Sequence, residues 1–324
     1  MTQPLRWGIL GASNFAKGHM GPAIHAAKGA KLSALATSTP QKAAGFQAFC
    51  PDIQIYDSYD ALLADPNIDA VYIPLPHTMH IEWSLKALDA GKHVLCEKPI
   101  AMRASDIDAL IAKRDETGLM ATEAYMIVHH PQWQRTQQLV RDGAIGKLVH
   151  VDGVFSYDNR AQTTNIRNHA ATGGGALPDI GVYTFGCTRF VTGEEPQTLS
   201  ADITFENDVD VISRITARFD SFSYNCVVSM RMHPRQDMFF HGEEGVIHLS
   251  APFNPNVYGP AVITLHQPGL ALREERFPGA NHYVLQVEAF GNSVKTGAPY
   301  PWSLENARGT QAMIDMAFAS GRPA

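Results

Sequence analysis

Leu5-Arg6-Trp7-Gly8-Ile9-Leu10-Gly11-Ala12-Ser13-Asn14-Phe15-Ala16 is the stretch that decides the fold. A short apolar run passes directly into a degenerate G-x-G-x-x-G/A loop, with Ser13 at the second glycine, and the loop then opens a helix. A strand, a glycine turn and a helix start in that order aim free backbone N–H groups, and the positive end of the helix, at a pyrophosphate. An ordinary βα turn is the competing reading, because six-residue matches are common. The context therefore carries the weight.

Working outward, apolar runs at 32–36, 70–73 and 93–96 alternate with helical spacing at 40–49, 79–90 and 104–117, the last two closed by Gly91 and Gly118. That alternation predicts a parallel, doubly wound sheet of the Rossmann type. After about residue 122 the grammar changes. Longer β-type runs at 148–157, 198–205, 210–219, 223–232 and 246–249 follow one another through turn-like Asn-Asp, Asp-Ser and Glu-Glu-Gly, which predicts an open, mostly antiparallel sheet. Helical patterns at 131–142, 177–192, 283–295 and 304–319 would cover one face of it. The expected class is α/β: a Rossmann domain over 1–122 and an α+β domain over 123–324, the last helix able to pack back onto the first domain.

The 324 residues exceed the usual range of one domain, and 45% hydrophobic with 18% charged residues is globular composition. Twenty-six Lys+Arg against 32 Asp+Glu leave a net charge of -6 with no basic run, which argues against nucleic acid as a partner. There is no signal-like start and no apolar stretch of spanning length, so a cytoplasmic protein that does not engage membranes is expected. The four cysteines are too scattered for a zinc pair or a disulfide framework and are expected to be reduced and mostly buried.

A site that prefers NAD places Asp or Glu at the end of the second strand, for the ribose 2′-hydroxyl. Here the segment reads Ala36-Thr37-Ser38-Thr39-Pro40, with no acid. Hydroxyls at Thr37, Ser38 and Thr39, with Lys42 one helical turn on, could hold a 2′-phosphate. The expected cofactor is NADP, with NAD as the alternative.

The chemistry points to other segments. Lys98, in His93-Val94-Leu95-Cys96-Glu97-Lys98-Pro99, stands at the carboxyl end of a parallel strand, where such sheets bind ligands. Farther on, Gly173-Gly174-Gly175-Ala176-Leu177-Pro178-Asp179-Ile180-Gly181-Val182-Tyr183 joins a glycine turn to a helix, with Asp179 and Tyr183 four apart on one face. A phenol suits hydroxyl oxidation, because its oxygen both donates and accepts and a nearby ammonium favours phenolate. Each residue alone also reads blandly, as a strand-end lysine, a helix-start acid and a packed tyrosine. Fourteen histidines invite a metal, yet none has carboxylate or cysteine partners at ligand spacing, so none is expected.

These segments, together with Ala70-Val71-Tyr72-Ile73-Pro74-Leu75-Pro76 and His130-Pro131-Gln132 in the same order, resemble the Gfo/Idh/MocA oxidoreductase family over nearly the whole chain. The likeness is greatest to the branch of glucose-fructose oxidoreductase, xylose-type aldose dehydrogenases and dimeric dihydrodiol dehydrogenases, which carry Tyr where the inositol branch commonly has His. The resemblance implies an NAD(P)-dependent enzyme moving a hydride between nicotinamide C4 and a hydroxyl or carbonyl of a sugar or cyclic vicinal diol. Lys98, Asp179 and Tyr183 would be catalytic, with Arg167 and Tyr283 as further substrate contacts. Either Lys98 or Tyr183 would receive the proton, as a coupled pair. Cofactor contacts would come from Gly11, Ala12, Ser13, Asn14, Phe15, Thr37, Ser38, Lys42, Pro74, Leu75, His77, His80, Glu97, Lys98 and Tyr125, with Glu123 flanking the same cleft. The resemblance also implies a cis Lys98–Pro99 bond and a homodimer or homotetramer built through the open sheet. Two rival readings are a glycosidase that oxidises transiently with a held NAD and a sugar sensor without catalysis.

Overall fold

The computed structural model describes residues 3–321. The chain forms two compact units: the first runs to His129 and takes in Asn281–Arg308, and the second comprises His130–Ala280 and the chain from Gly309.

In the first unit β1 (Leu5–Leu10), β2 (Ala30–Ala36), β3 (Gln54–Tyr56), β4 (Ala70–Ile73), β5 (His93–Cys96) and β6 (Ala121–Glu123) form one sheet. The order is β3-β2-β1-β4-β5-β6 and every neighbouring pair is parallel. The near-continuous apolar strands follow from helices covering both faces. Helices α1 (Gly21–Ala26), α2 (Pro40–Gln47), α3 (Tyr59–Leu63), α4 (His80–Asp89) and α5 (Asp106–Thr117) complete the unit's βα framework. One core gathers Val71, Ile73, Val94, Cys96, Ile107 and Leu110; another gathers Trp7, Ile9, Ile24, Phe46, Tyr72 and Leu95. The strand order reverses between β1 and β4, which places a ligand crevice at their carboxyl ends.

The second sheet is built from β7 (Leu148–Asp158), β8 (Thr198–Glu206), β9 (Val209–Arg218), β10 (Ser223–Ser229), β11 (Arg231–Gly242), β12 (Val246–Leu249), β13 (Val262–Gln267) and β14 (Ala271–Arg276). Its order is β14-β13-β12-β11-β7-β10-β9-β8; β7 and β10 run parallel and the other neighbours antiparallel. On β9, Val211, Ser213, Ile215 and Ala217 are buried and alternate with more exposed residues, the pattern of a sheet covered on one side. The helices of the later chain are α6 (Pro131–Arg141), α7 (Val182–Thr192), α8 (His282–Thr296) and α9 (Leu304–Gly321).

Three expectations are corrected. The run expected as one strand over 223–232 is two strands, because the chain moves from one side of β7 to the other at Met230. Period-two alternation persists through such a change of partner, so it does not report it. The first domain extends beyond 122, since β6 ends at Glu123 and the first unit runs to His129. Finally, α8 covers the first sheet: Val287 and Phe290 enter the Trp7 core, with the Trp7 and Phe290 rings 4.9 Å apart. An amphipathic helix declares that one face is buried, not against which sheet.

No helix among the described residues is long and apolar enough to cross a membrane. Cys50, Cys96, Cys187 and Cys226 are all free and buried.

Candidate functional site

In the first unit, the loop after β1 holds a left-handed backbone at Gly11, with φ +112°. A Cβ there would be strained and would lie 3.0 Å from Leu75 Cδ2, so glycine is required both for the turn and for the close approach. Ser13, in place of the second glycine, is the helix cap. Its Oγ accepts from the Ala16 N–H at 3.0 Å and its carbonyl from the Lys17 N–H at 3.0 Å. Ala12 and Phe15 are half-buried and Asn14 is exposed. The Phe15 ring packs against His19 at 5.0 Å and Tyr283 at 5.6 Å. A glycine turn running into a helix start at the sheet's switch point fits a dinucleotide.

The turn after β2 divides the expected phosphate contacts. Ser38 and Lys42 are exposed. Thr37 is buried, and its hydroxyl accepts from the Thr39 N–H at 3.1 Å and donates to the Thr39 carbonyl at 3.4 Å. Thr37 therefore holds the turn.

Beyond β4 and β5, Pro74 and His77 are half-buried and Leu75 is buried. Glu97 accepts from the Tyr72 hydroxyl at 2.6 Å, and the bond from Lys98 to Pro99 is cis. Two of the expected cofactor residues are enclosed here. His80 is fully enclosed, with Nδ1 2.8 Å from the Pro99 carbonyl and Nε2 2.8 Å from the Leu75 carbonyl. Both ring nitrogens are thus used within the protein, and burial pushes the imidazole down to about 4 against the pull of the two carbonyls. Tyr125 is enclosed as well, stacked on Trp302 with ring centres 4.3 Å apart. Glu123 accepts from the Ile100 N–H and from Trp302 Nε1, each at 2.9 Å.

In the second unit, the segment expected to begin a regular helix opens with a π turn, Leu177–Gly181, that continues into α7. Asp179 is buried within it. Its Oδ1 pairs with Arg167 Nε at 2.8 Å and its Oδ2 accepts from the Tyr157 hydroxyl at 2.6 Å. The Asp179 charge pushes the Arg167 guanidinium upward, and burial, helped by the same carboxylate, pushes the Tyr157 phenol upward. Tyr183 follows at the start of α7, its ring 5.7 Å from both Phe155 and Phe253. Asp210, from the start of β9, accepts from the Leu177 N–H at 2.7 Å and so caps the whole segment. Gly175, at φ +138°, lies against that carboxylate, and a Cβ there would overlap Asp210 Oδ1.

The second unit thus brings together Arg167, Asp179 and Tyr183, whereas Lys98 and Tyr283 belong to the first unit. Tyr283 stands at the start of α8 beside Phe15 and His19, and burial pushes its phenol upward. Sequence reasoning missed Tyr157, Asp210 and Trp302. Tyr157 ends a strand run twenty-two residues before Asp179, and no local spacing links the two.

Comparison with known proteins agrees with this arrangement. Residues 5–125 match the oxidoreductase family with an NAD-binding Rossmann fold, and residues 133–248 match the GFO/IDH/MocA C-terminal domain. An uncharacterised oxidoreductase of Rhizobium meliloti is 35% identical over 96% of this chain and 95% of its own. A D-xylose 1-dehydrogenase (NADP(+)) of Haloferax volcanii is 30% identical over 98% of this chain and 97% of its own. A 3-ketoreductase from Actinomadura kijaniata, solved with NADP and TDP-benzene, superposes with a TM-score of 0.90 at 27% identity, covering 99% of this chain and 98% of that one. Both family domains in order, a Rossmann cradle that fits the dinucleotide and relatives matched end to end make this chain an NAD(P)-dependent oxidoreductase of the Gfo/Idh/MocA family.

Proposed function

We propose that the chain interconverts a secondary hydroxyl and a carbonyl on an aldose or cyclic vicinal diol, with NADP favoured over NAD. The observation that carries this reading is the anchored acid and phenol of the second unit. Asp179 has its two oxygens engaged by Arg167 and Tyr157, and Tyr183 follows four residues later from a helix start capped by Asp210. Such a carboxylate is a fixed negative post around which polar groups are oriented.

When bound, the nicotinamide accepts or supplies the hydride. In the oxidising direction the substrate C–H bond breaks with its electron pair, and the hydroxyl proton goes to Tyr183; in reduction both movements reverse. Lys98 is assigned to the substrate oxygen, while Asp179 and Arg167 hold the polar lining of the second unit in register. An exposed Ser38 and Lys42 with no neighbouring acid at the β2 turn support NADP. The D-xylose 1-dehydrogenase and 3-ketoreductase activities of the relatives support the substrate class. Association with a second copy through the open face of the second sheet belongs to the same reading.

The test is reduction of NAD+ and NADP+ with a panel of pentoses, hexoses, inositols and cyclic diols. Tyr183→Phe and Lys98→Ala should each lower kcat on the best substrate by about 100- to 10,000-fold, the usual contribution of such proton transfer, with NADP+ affinity nearly unchanged. Wild-type turnover in either variant would remove that residue from its role.

A further inference from the structure

Glu123 ends β6 with a side chain almost completely enclosed, 2% exposed. Its two oxygens face two donors, the backbone N–H of Ile100 and the indole N–H of Trp302, each at 2.9 Å. Neither donor can accept a hydrogen bond. An ionised carboxylate accepts at both oxygens and holds both donors at full strength; an amide must turn an N–H toward one of them, and the hydroxyl oxygen of a carboxylic acid accepts more weakly. The surroundings resist that charge. Burial, with Glu97 acting in the same sense, pushes the carboxyl up to about 7, while Ile100, Trp302 and Lys98 pull it down.

The segment that Glu123 holds is the one that carries Lys98. Glu97 receives the Tyr72 hydroxyl from β4, the Pro99 carbonyl meets His80 from α4, and the Ile100 N–H meets Glu123 from β6. The charged or titratable groups around Glu123 are therefore Glu97 and Lys98 after β5, with Tyr72 and His80 behind them and the neutral indole of Trp302 opposite. The Trp302 carbonyl in turn accepts from the Thr122 hydroxyl at 2.5 Å. His80 is held down to about 4 and Tyr72 well above the usual phenol range, whereas Glu123 is raised toward neutrality, so its hold, unlike theirs, changes there.

We propose that Glu123 is a positioning residue for Lys98: as a carboxylate it locks Ile100, and with it the segment Glu97–Ile100, and on protonation it releases one of its two donors and lets that segment shift. The proposal deepens the role given to Lys98 above and rests on it.

The Trp302 indole provides a readout that does not depend on turnover. In a ¹H–¹⁵N spectrum of the full chain, its Nε1–H resonance, assigned by Trp302→Phe, should move with pH around a midpoint near 7. The resonance should stay still in Glu123→Gln. Over the same range kcat should rise with a matching acid limb. In Glu123→Gln that limb should vanish, with kcat about 10- to 100-fold lower. Trp302→Phe keeps the carboxylate but removes one donor, so its acid limb should move to higher pH; Glu123→Asp should retain a limb. An indole that does not titrate between about pH 5 and 9 overturns the clamp. An indole that titrates while the kcat profile and Glu123→Gln turnover stay as in wild type overturns the link to Lys98. Full turnover in Lys98→Ala would instead overturn the catalytic reading, and the indole titration, measured without substrate, would stand apart from it.

Discussion

At the scale of single residues, the proposed preference for NADP rests on Ser38. Thr37 is spent on its own turn, so the exposed Ser38 hydroxyl and the Lys42 ammonium remain at the end of β2, with no carboxylate to repel a 2′-phosphate. Ser38→Asp should shift the ratio of kcat/KM for NADP+ and NAD+ toward NAD+ by roughly 1.5–3 kcal/mol, the scale of one charge-assisted hydrogen bond, with repulsion added. The wild-type preference should weaken as salt rises, because these contacts lie near solvent. An unchanged ratio in Ser38→Asp would place the discriminating contact elsewhere. Lys98, Asp179 and Tyr183, the residues proposed to carry the chemistry, stand out in the sequence because each has a local signature, a strand end or a helix start after glycines. Tyr157 and Trp302 do not, since what matters about them is a partner far away in sequence.

At the scale of elements, the junction between the glycine run and α7 holds the second unit's polar cluster in place. Gly175→Ala would force a side chain into a φ of +138° and against Asp210, the residue that caps Leu177. Strain of this kind costs about 1–3 kcal/mol, and overlap with a buried carboxylate adds to it. Thermal unfolding should show the loss of stability and the initial rate a parallel loss of activity. Native stability together with native turnover would mean that Asp210 does not set the helix start. The strand inventory shows where reading by pattern ends. β3 has three residues, too few for alternation to register, and β14 reads Ala-Leu-Arg-Glu-Glu-Arg, an edge strand without an apolar face. The parallel sheet was legible because burial on both faces makes its strands uniformly apolar.

At the scale of the whole molecule, buried titratable groups set how stability varies with pH. Burial pushes His80, His129 and His130 down to about 4, 3 and 4, so their contribution is present above their unfolded value of 6.5 and is lost as pH falls toward those values. Burial pushes Glu123 and Asp210 up to about 7, so theirs is present below the unfolded carboxyl range and is lost as pH rises through about 7. Near pH 5.5 the unfolded chain holds roughly three more protons on the imidazoles and roughly two fewer on the carboxyls. The net of roughly one proton makes stability climb with pH at about 1.4 kcal/mol per unit. Near pH 6.5 the waning imidazole gain equals the carboxyl loss and above it the loss is the larger, so the melting temperature should peak between about pH 6 and 7. Glu123→Gln with Asp210→Asn should flatten the decline on the alkaline side; a wild-type melting temperature still rising at pH 9 would contradict it. The buried thiols have a kinetic consequence of another kind. Cys50 and Cys96 lie in the first unit and Cys187 and Cys226 in the second, each with its thiol pushed upward by burial. A thiolate-seeking reagent can reach them only when the structure around them opens, so the order in which the four react under native conditions is a clock for which unit breathes first.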